Sequence, residues 1–70
     1  MYSEYDCFVL TKKIPNDTFV DVGKCGVVLM VLSNFPPIYE VEFVDNEGRN
    51  IGDTTYALSE EYMSPLLSEG

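Results

Sequence analysis

A chain of 70 residues, 46% apolar and carrying five tyrosines and four phenylalanines, is one small folded domain, spanning 1–70 with an expected ordered core of about 4–67. Twelve acidic residues against four basic ones give a net charge of −8, which repels phosphate backbones and anionic lipid surfaces and favours partners with a basic patch. There is no histidine, and the two cysteines do not form a CxxC pair, so zinc sites and histidine-dependent triads are excluded.

The N-terminus, MYSEYD, is acidic, and no secretory apolar region follows it, which points to a cytoplasmic protein. The first expected strand is Tyr5 to Thr11, where β-branched and aromatic residues dominate. Lys12 to Gly26 lacks a clean apolar period and is punctuated by Pro15, Asn16, Asp17 and Gly23. It reads as a long ordered loop pinned by Ile14, Phe19 and Val22. The second strand is GVVLMVL, Gly26 to Leu32, too short to cross a bilayer and apolar on both faces. With Val27, Leu29 and Val31 assigned to the core, Val28, Met30 and Leu32 face out. SNFPP, Ser33 to Pro37, is a turn whose prolines are expected to forbid ladder bonds.

The third strand, Ile38 to Asp45, alternates cleanly. Tyr39, Val41 and Phe43 share one face, and Glu40, Glu42 and Val44 the other. Asp45 to Gly48 reads as a hairpin turn. A weaker fourth strand runs from Arg49 to Leu58, with a bulge or kink at Gly52 and Asp53. Ser59 to Met63 reads as one helical turn capped by Ser59. A last strand covers roughly Tyr62 to Leu67, and Ser68 to Gly70 should fray. The fold class is therefore all-β, a small five-stranded SH3-like barrel with one short helical turn before the last strand. Its expected core holds Val9, Val27, Leu29, Val41 and Phe43. Cys7 and Cys25 read as small apolar core residues, with a disulfide between adjacent strands as the alternative.

Four segments carry a family resemblance: FVLTKKIP at Phe8 to Pro15, VDVGKCGVVLMVL at Val20 to Leu32, YEVEFVDNEGR at Tyr39 to Arg49, and the closing TTYALSEEYMSPL. With these the chain resembles the bacterial family catalogued as domain of unknown function 4926, over nearly its whole length. The resemblance implies a small SH3-like barrel and no established activity. The chain departs from that pattern at Met30, where the family usually has an acidic or polar residue, and in the more apolar SNFPP turn.

Two constellations bear on function. Glu40, Glu42, Asp45 and Glu47 form an acidic ridge running into the hairpin turn. Same-face carboxylates at i and i+2 lie about 7 Å apart and repel unless a basic group compensates. The bland reading is a solvated strand face. The functional one is a docking site for lysine or arginine of a partner. Beside the ridge, Met30, Leu32, Phe35 and Ile38 supply an apolar centre of the sort found within charged interface rims. Tyr2, Tyr5, Phe35 and Tyr56 could line a groove for proline-rich peptides, but their spacing is unspecific. Catalysis by the paired glutamates is set aside, because no pocket would drive their pKa values apart. No cofactor or metal is implied. The expectation is a non-enzymatic, acidic protein-binding domain that uses Glu40, Glu42, Asp45, Glu47, Met30 and Phe35. The first version is an immunity protein or antitoxin occluding a basic, nuclease-like toxin. The alternative is an accessory interaction module of a larger bacterial complex.

Overall fold

The computed structural model describes residues 1–66. Among these residues are five strands: β1 Cys7–Leu10, β2 Cys25–Asn34, β3 Pro37–Val44, β4 Tyr56–Ser59 and β5 Met63–Pro65. A single 3₁₀ turn, Glu60–Tyr62, precedes β5. All pairings are antiparallel, and the strands lie in the order β4-β3-β2-β1-β5. The sheet curls into a half-barrel, the SH3-like architecture expected from the sequence. Among the described residues, no helix is long and apolar enough to cross a membrane.

β3 sets the register of the whole sheet. Tyr39, Val41 and Phe43 are fully buried, as their alternation requires. Residues directly opposite in an antiparallel pair share a face, so Val28, opposite Val41, is driven into the core. Val27 and Leu29, expected inside, are only half-buried. Val9 is likewise half-buried, and β1 points Phe8 and Leu10 inward instead. The phase of an apolar run cannot be read from the run itself, and here the cross-strand partners decide it. Phe8 pairs with Gly26, and its ring occupies the space a side chain at that position would need.

Strict alternation from Val28 would turn Met30 inward. A register shift between Val28 and Met30 places Met30 opposite Glu40 instead. Such a bulge adds one residue to one strand and reverses the phase that follows. Met30 therefore faces out, 49% exposed, as expected but for a reason the sequence did not supply. A second shift lies between Val31 and Ser33.

The SNFPP expectation is corrected. β2 runs to Asn34 and β3 begins at Pro37, which pairs with Asn34. Only Phe35 and Pro36, joined by a cis bond, remain at the tip. Proline is tolerated at a strand's first residue, where a missing N–H breaks no central ladder.

The long first loop is pinned by Ile14, at 8% exposure, and by Val20, at 0%. Phe19 and Val22 stay exposed, against expectation. The Asp17 carboxylate accepts the backbone N–H groups of Phe19 (3.1 Å) and Val20 (2.9 Å), and this turn leaves Val20 facing the core. The Asp45–Gly48 turn is as expected, with the Gly48 N–H donating to the Asp45 carbonyl at 3.0 Å and φ of +81° at Gly48. β4 is shorter than expected because Gly52 (φ +78°) and Asp53 (φ +52°) take the chain out of the ladder. Ser59 precedes the 3₁₀ turn but makes no side-chain cap, since its hydroxyl donates to Glu61 at 3.3 Å.

Cys7 is exposed and Cys25 half-buried, and both are free thiols. Neither the core assignment nor the disulfide is found. Both lie on the outer face, Cys7 opposite Val27 and Cys25 opposite Val9. The expected fraying of Ser68 to Gly70 lies outside the described residues, as does Leu67.

Candidate functional site: the outer face and edge of the long hairpin

β2 and β3 form the longest ladder in the molecule, and its distal half projects as an arm ending at Phe35 and Pro36. Between Cys25 and Ile38 there is no charged side chain. Met30 (49%), Leu32 (46%) and Phe35 (96%) are exposed along this arm. Ile38, half-buried, sits opposite Ser33 on its outer side. Glu40 lies between Met30 on β2 and Ala57 on β4, so one half-buried acid stands in the middle of an uncharged surface.

The four acids of the ridge behave differently from one another. Asp45 serves the turn, its Oδ1 accepting the N–H groups of Glu47 (2.8 Å) and Arg49 (3.0 Å). Glu47 forms an exposed ion pair with Arg49 at 3.0 Å, a contact worth little energetically in open solvent. Glu42 accepts from the Asn50 side-chain amide at 3.0 Å. Glu40 has no hydrogen-bond or ion-pair partner among the described residues. The ridge is thus continuous in sequence but divided in role, and Glu40 is its freest member.

Among the chain's bases, Lys12 pairs with Glu61 (3.2 Å), Lys13 with Asp21 (3.1 Å) and Arg49 with Glu47 (3.0 Å). None of these approaches the arm.

The aromatic line for a proline-rich ligand does not form. Tyr2 and Tyr56 pack against the core, leaving Tyr5 and Phe35 exposed. Sequence reasoning also missed what Tyr56 and Tyr39 do. The Tyr56 hydroxyl donates to Asp17 at 2.6 Å and ties the first loop to β4. The Tyr39 hydroxyl donates to Glu60 at 2.6 Å and ties β3 to the 3₁₀ turn. The Tyr2 N–H in turn donates to the Tyr39 oxygen at 3.0 Å. These partners stand 39 and 21 residues apart, beyond any local signal.

Both tyrosine bonds hold the acids below their ordinary carboxylate values, Tyr56 acting first on Asp17 and Tyr39 first on Glu60. Burial, with Asp17 adding, pushes the Tyr56 phenol up to about 12. The depressed acids contribute stability above their unfolded values of 3.8 and 4.5, and lose it as pH falls through the folded ones. The raised phenol contributes below its unfolded value of 10.0, and that stability is lost as pH rises towards about 12. Melting temperature should therefore be flat near neutrality and fall on both sides. Replacing Tyr56 with Phe should flatten both flanks, as read in thermal melts from pH 3 to 11. An unchanged acid flank in Tyr56→Phe would show that the Tyr56 bond is not what links Asp17 to folding.

A shallow groove of about 500 Å³ runs between the N-terminal segment and β2, lined by Tyr2, Ser3, Glu4, Met30 and Val31. No protein-family model, curated protein or solved structure matches this chain.

Proposed function

We propose that this chain is a small acidic protein-binding domain, and in its most concrete form an immunity protein or antitoxin. It would dock on the basic active-site cleft of a nuclease-like toxin and cover it. The observation that carries the reading is the arm. An exposed apolar surface of Met30, Leu32 and Phe35 flanks Glu40, in a molecule of net charge −8 in which three of the four basic side chains pair elsewhere. An apolar centre within a charged surround is how protein interfaces are commonly built. Charge of one sign steers an oppositely charged partner into encounter. Occlusion needs no catalytic group, and the acids would stand where a basic cleft expects phosphates.

The test begins with capture of the partner from the native host and its kinetic binding to purified variants. Reversing Glu40 and Glu42 to Lys should slow association at low salt by about tenfold and remove most of its salt dependence, because steering acts on the on-rate. The captured partner should be basic, and a nuclease activity in it should be lost at one equivalent of this chain. A partner without a basic surface, or association indifferent to the charge reversal, would return the acids to the role of a solvated face. A partner drawn from a metabolic or respiratory assembly would favour an accessory module over an immunity protein.

A further inference from the structure

We infer that the free edge of β2 beyond Val28 receives an extended segment of the partner, rich in basic and apolar side chains, as an added β-strand. This rests on the reading of the chain as a binder of basic proteins, and it names how part of that partner is held.

β1 pairs with β2 only from Cys25 to Val27. The N-terminal segment then closes the ladder, with the Tyr5 N–H donating to the Val28 carbonyl at 2.6 Å and the Val28 N–H to the Asp6 carbonyl at 2.9 Å. Past Val28, no described residue pairs with β2 on that side, although β2 continues to Asn34 against β3. A run of main-chain donors and acceptors is left facing outward, and it satisfies an incoming strand as readily as water. Protein edges are commonly guarded by lysine, proline or inward charge. Leu29 to Asn34 carry none of these. Two bulges coil the arm but belong to its ladder with β3. They favour one added strand over a flat stack of copies, since bulges increase local twist.

The groove of about 500 Å³ lies along this edge, with Tyr2, Met30 and Val31 as its apolar lining and Glu4 as its charge. Glu40 stands opposite Met30 on the arm's outer face. No basic residue occurs between Lys24 and Arg49. An incoming strand that alternates apolar and basic side chains would set one set against Val31 and Tyr2 and the other towards the acids. A second copy of this chain would instead bring −8 against −8. Charge thus selects the basic strand.

The probe is a capped hexapeptide alternating lysine and valine, titrated to millimolar concentration and followed by NMR and amide hydrogen exchange. The expected result is protection of amides within Met30 to Asn34 by at least tenfold. The same peptide N-methylated at alternate residues should give none, and Leu32→Lys should abolish the effect while leaving the melt intact. Shifts confined to Glu40, Glu42 and the Asp45 turn, without edge protection, would overturn strand addition and leave the acidic binding face standing. Equal protection by the N-methylated peptide would also overturn it. So would edge protection that rises with protein concentration alone, because a second copy would then own the edge. No shift anywhere would count against both the edge and the acidic face.

Discussion

Replacing Gly26 with alanine should lower the melting temperature by on the order of 15 °C. A Cβ at this position would stand 2.5 Å from Phe8 Cζ, 2.6 Å from Phe8 Cε1 and 2.9 Å from the Glu42 carbonyl oxygen. None of these can retreat easily. Phe8 is fully buried, with its ring edge-on to Phe43 at 5.4 Å and to Tyr2 at 6.4 Å. Glu42 lies in the β2–β3 ladder, where moving its carbonyl disturbs the pairing next to Phe43. Overpacking of this sort costs about 1–3 kcal/mol or more, against a total of about 3.5–10 for a domain of this length. A second substitution separates the causes. If the ring is the main obstacle, Phe8→Leu should cost less in the Gly26→Ala background than in the parent. Additive losses would place the strain in the Glu42 carbonyl instead. Gly48→Ala provides the contrast, since its φ is +81° but nothing lies within 4 Å. It should cost only about 1 kcal/mol, the usual penalty for a side chain in that backbone region.

Gly26 also shows where the sequence stopped being legible. The alternation of β3 was readable because acids and apolar residues take turns, and one register alone buries the apolar set. β2 offered no such contrast. Its phase follows from Val41 opposite Val28 and from the ring of Phe8 over Gly26, which are tertiary facts. The bulge before Met30 has no sequence mark either, so the adjacency of Met30 and Glu40 could not be derived from spacing. The hairpin tip differs from expectation for a local reason: a proline at a strand end lacks a donor, but its carbonyl still accepts. Asp45 could have been separated from the ridge in advance, because an aspartate opening a turn that ends in glycine commonly binds its own backbone. The engagement of Glu42 by Asn50 could not, since it depends on how the chain returns after the turn. The free edge of β2 follows from β1 being four residues long and from the pairing of the N-terminal segment with β2 ending at Val28.

Phe43 and Phe35 belong to the same hairpin and should fail in opposite ways. Phe43 is fully buried, and its ring meets Phe8 at 5.4 Å and Tyr56 at 5.5 Å, both edge-on. Truncating it to alanine removes the side chain that joins β1, β3 and β4, at a cost of about 3–5 kcal/mol. In a domain holding about 3.5–10 kcal/mol in all, that removes about a third of the total or more, and at the lower end leaves the chain largely unfolded at room temperature. Circular dichroism and a denaturant titration at 25 °C should show it, and binding should fall only as the folded fraction falls. Phe35 is 96% exposed at the tip of the arm. Its truncation should move stability by no more than about 0.5 kcal/mol, as for surface positions without partners. If the arm is the docking surface, the same change should speed dissociation of the captured partner by tenfold or more, because an exposed aromatic that becomes buried in an interface is a common energetic anchor. A Phe35→Ala protein with native melting and native dissociation would remove the tip from the interface. A Phe35→Ala protein that melts early would mean that the tip supports the fold, and the uncharged arm would then have to be explained by folding rather than by binding.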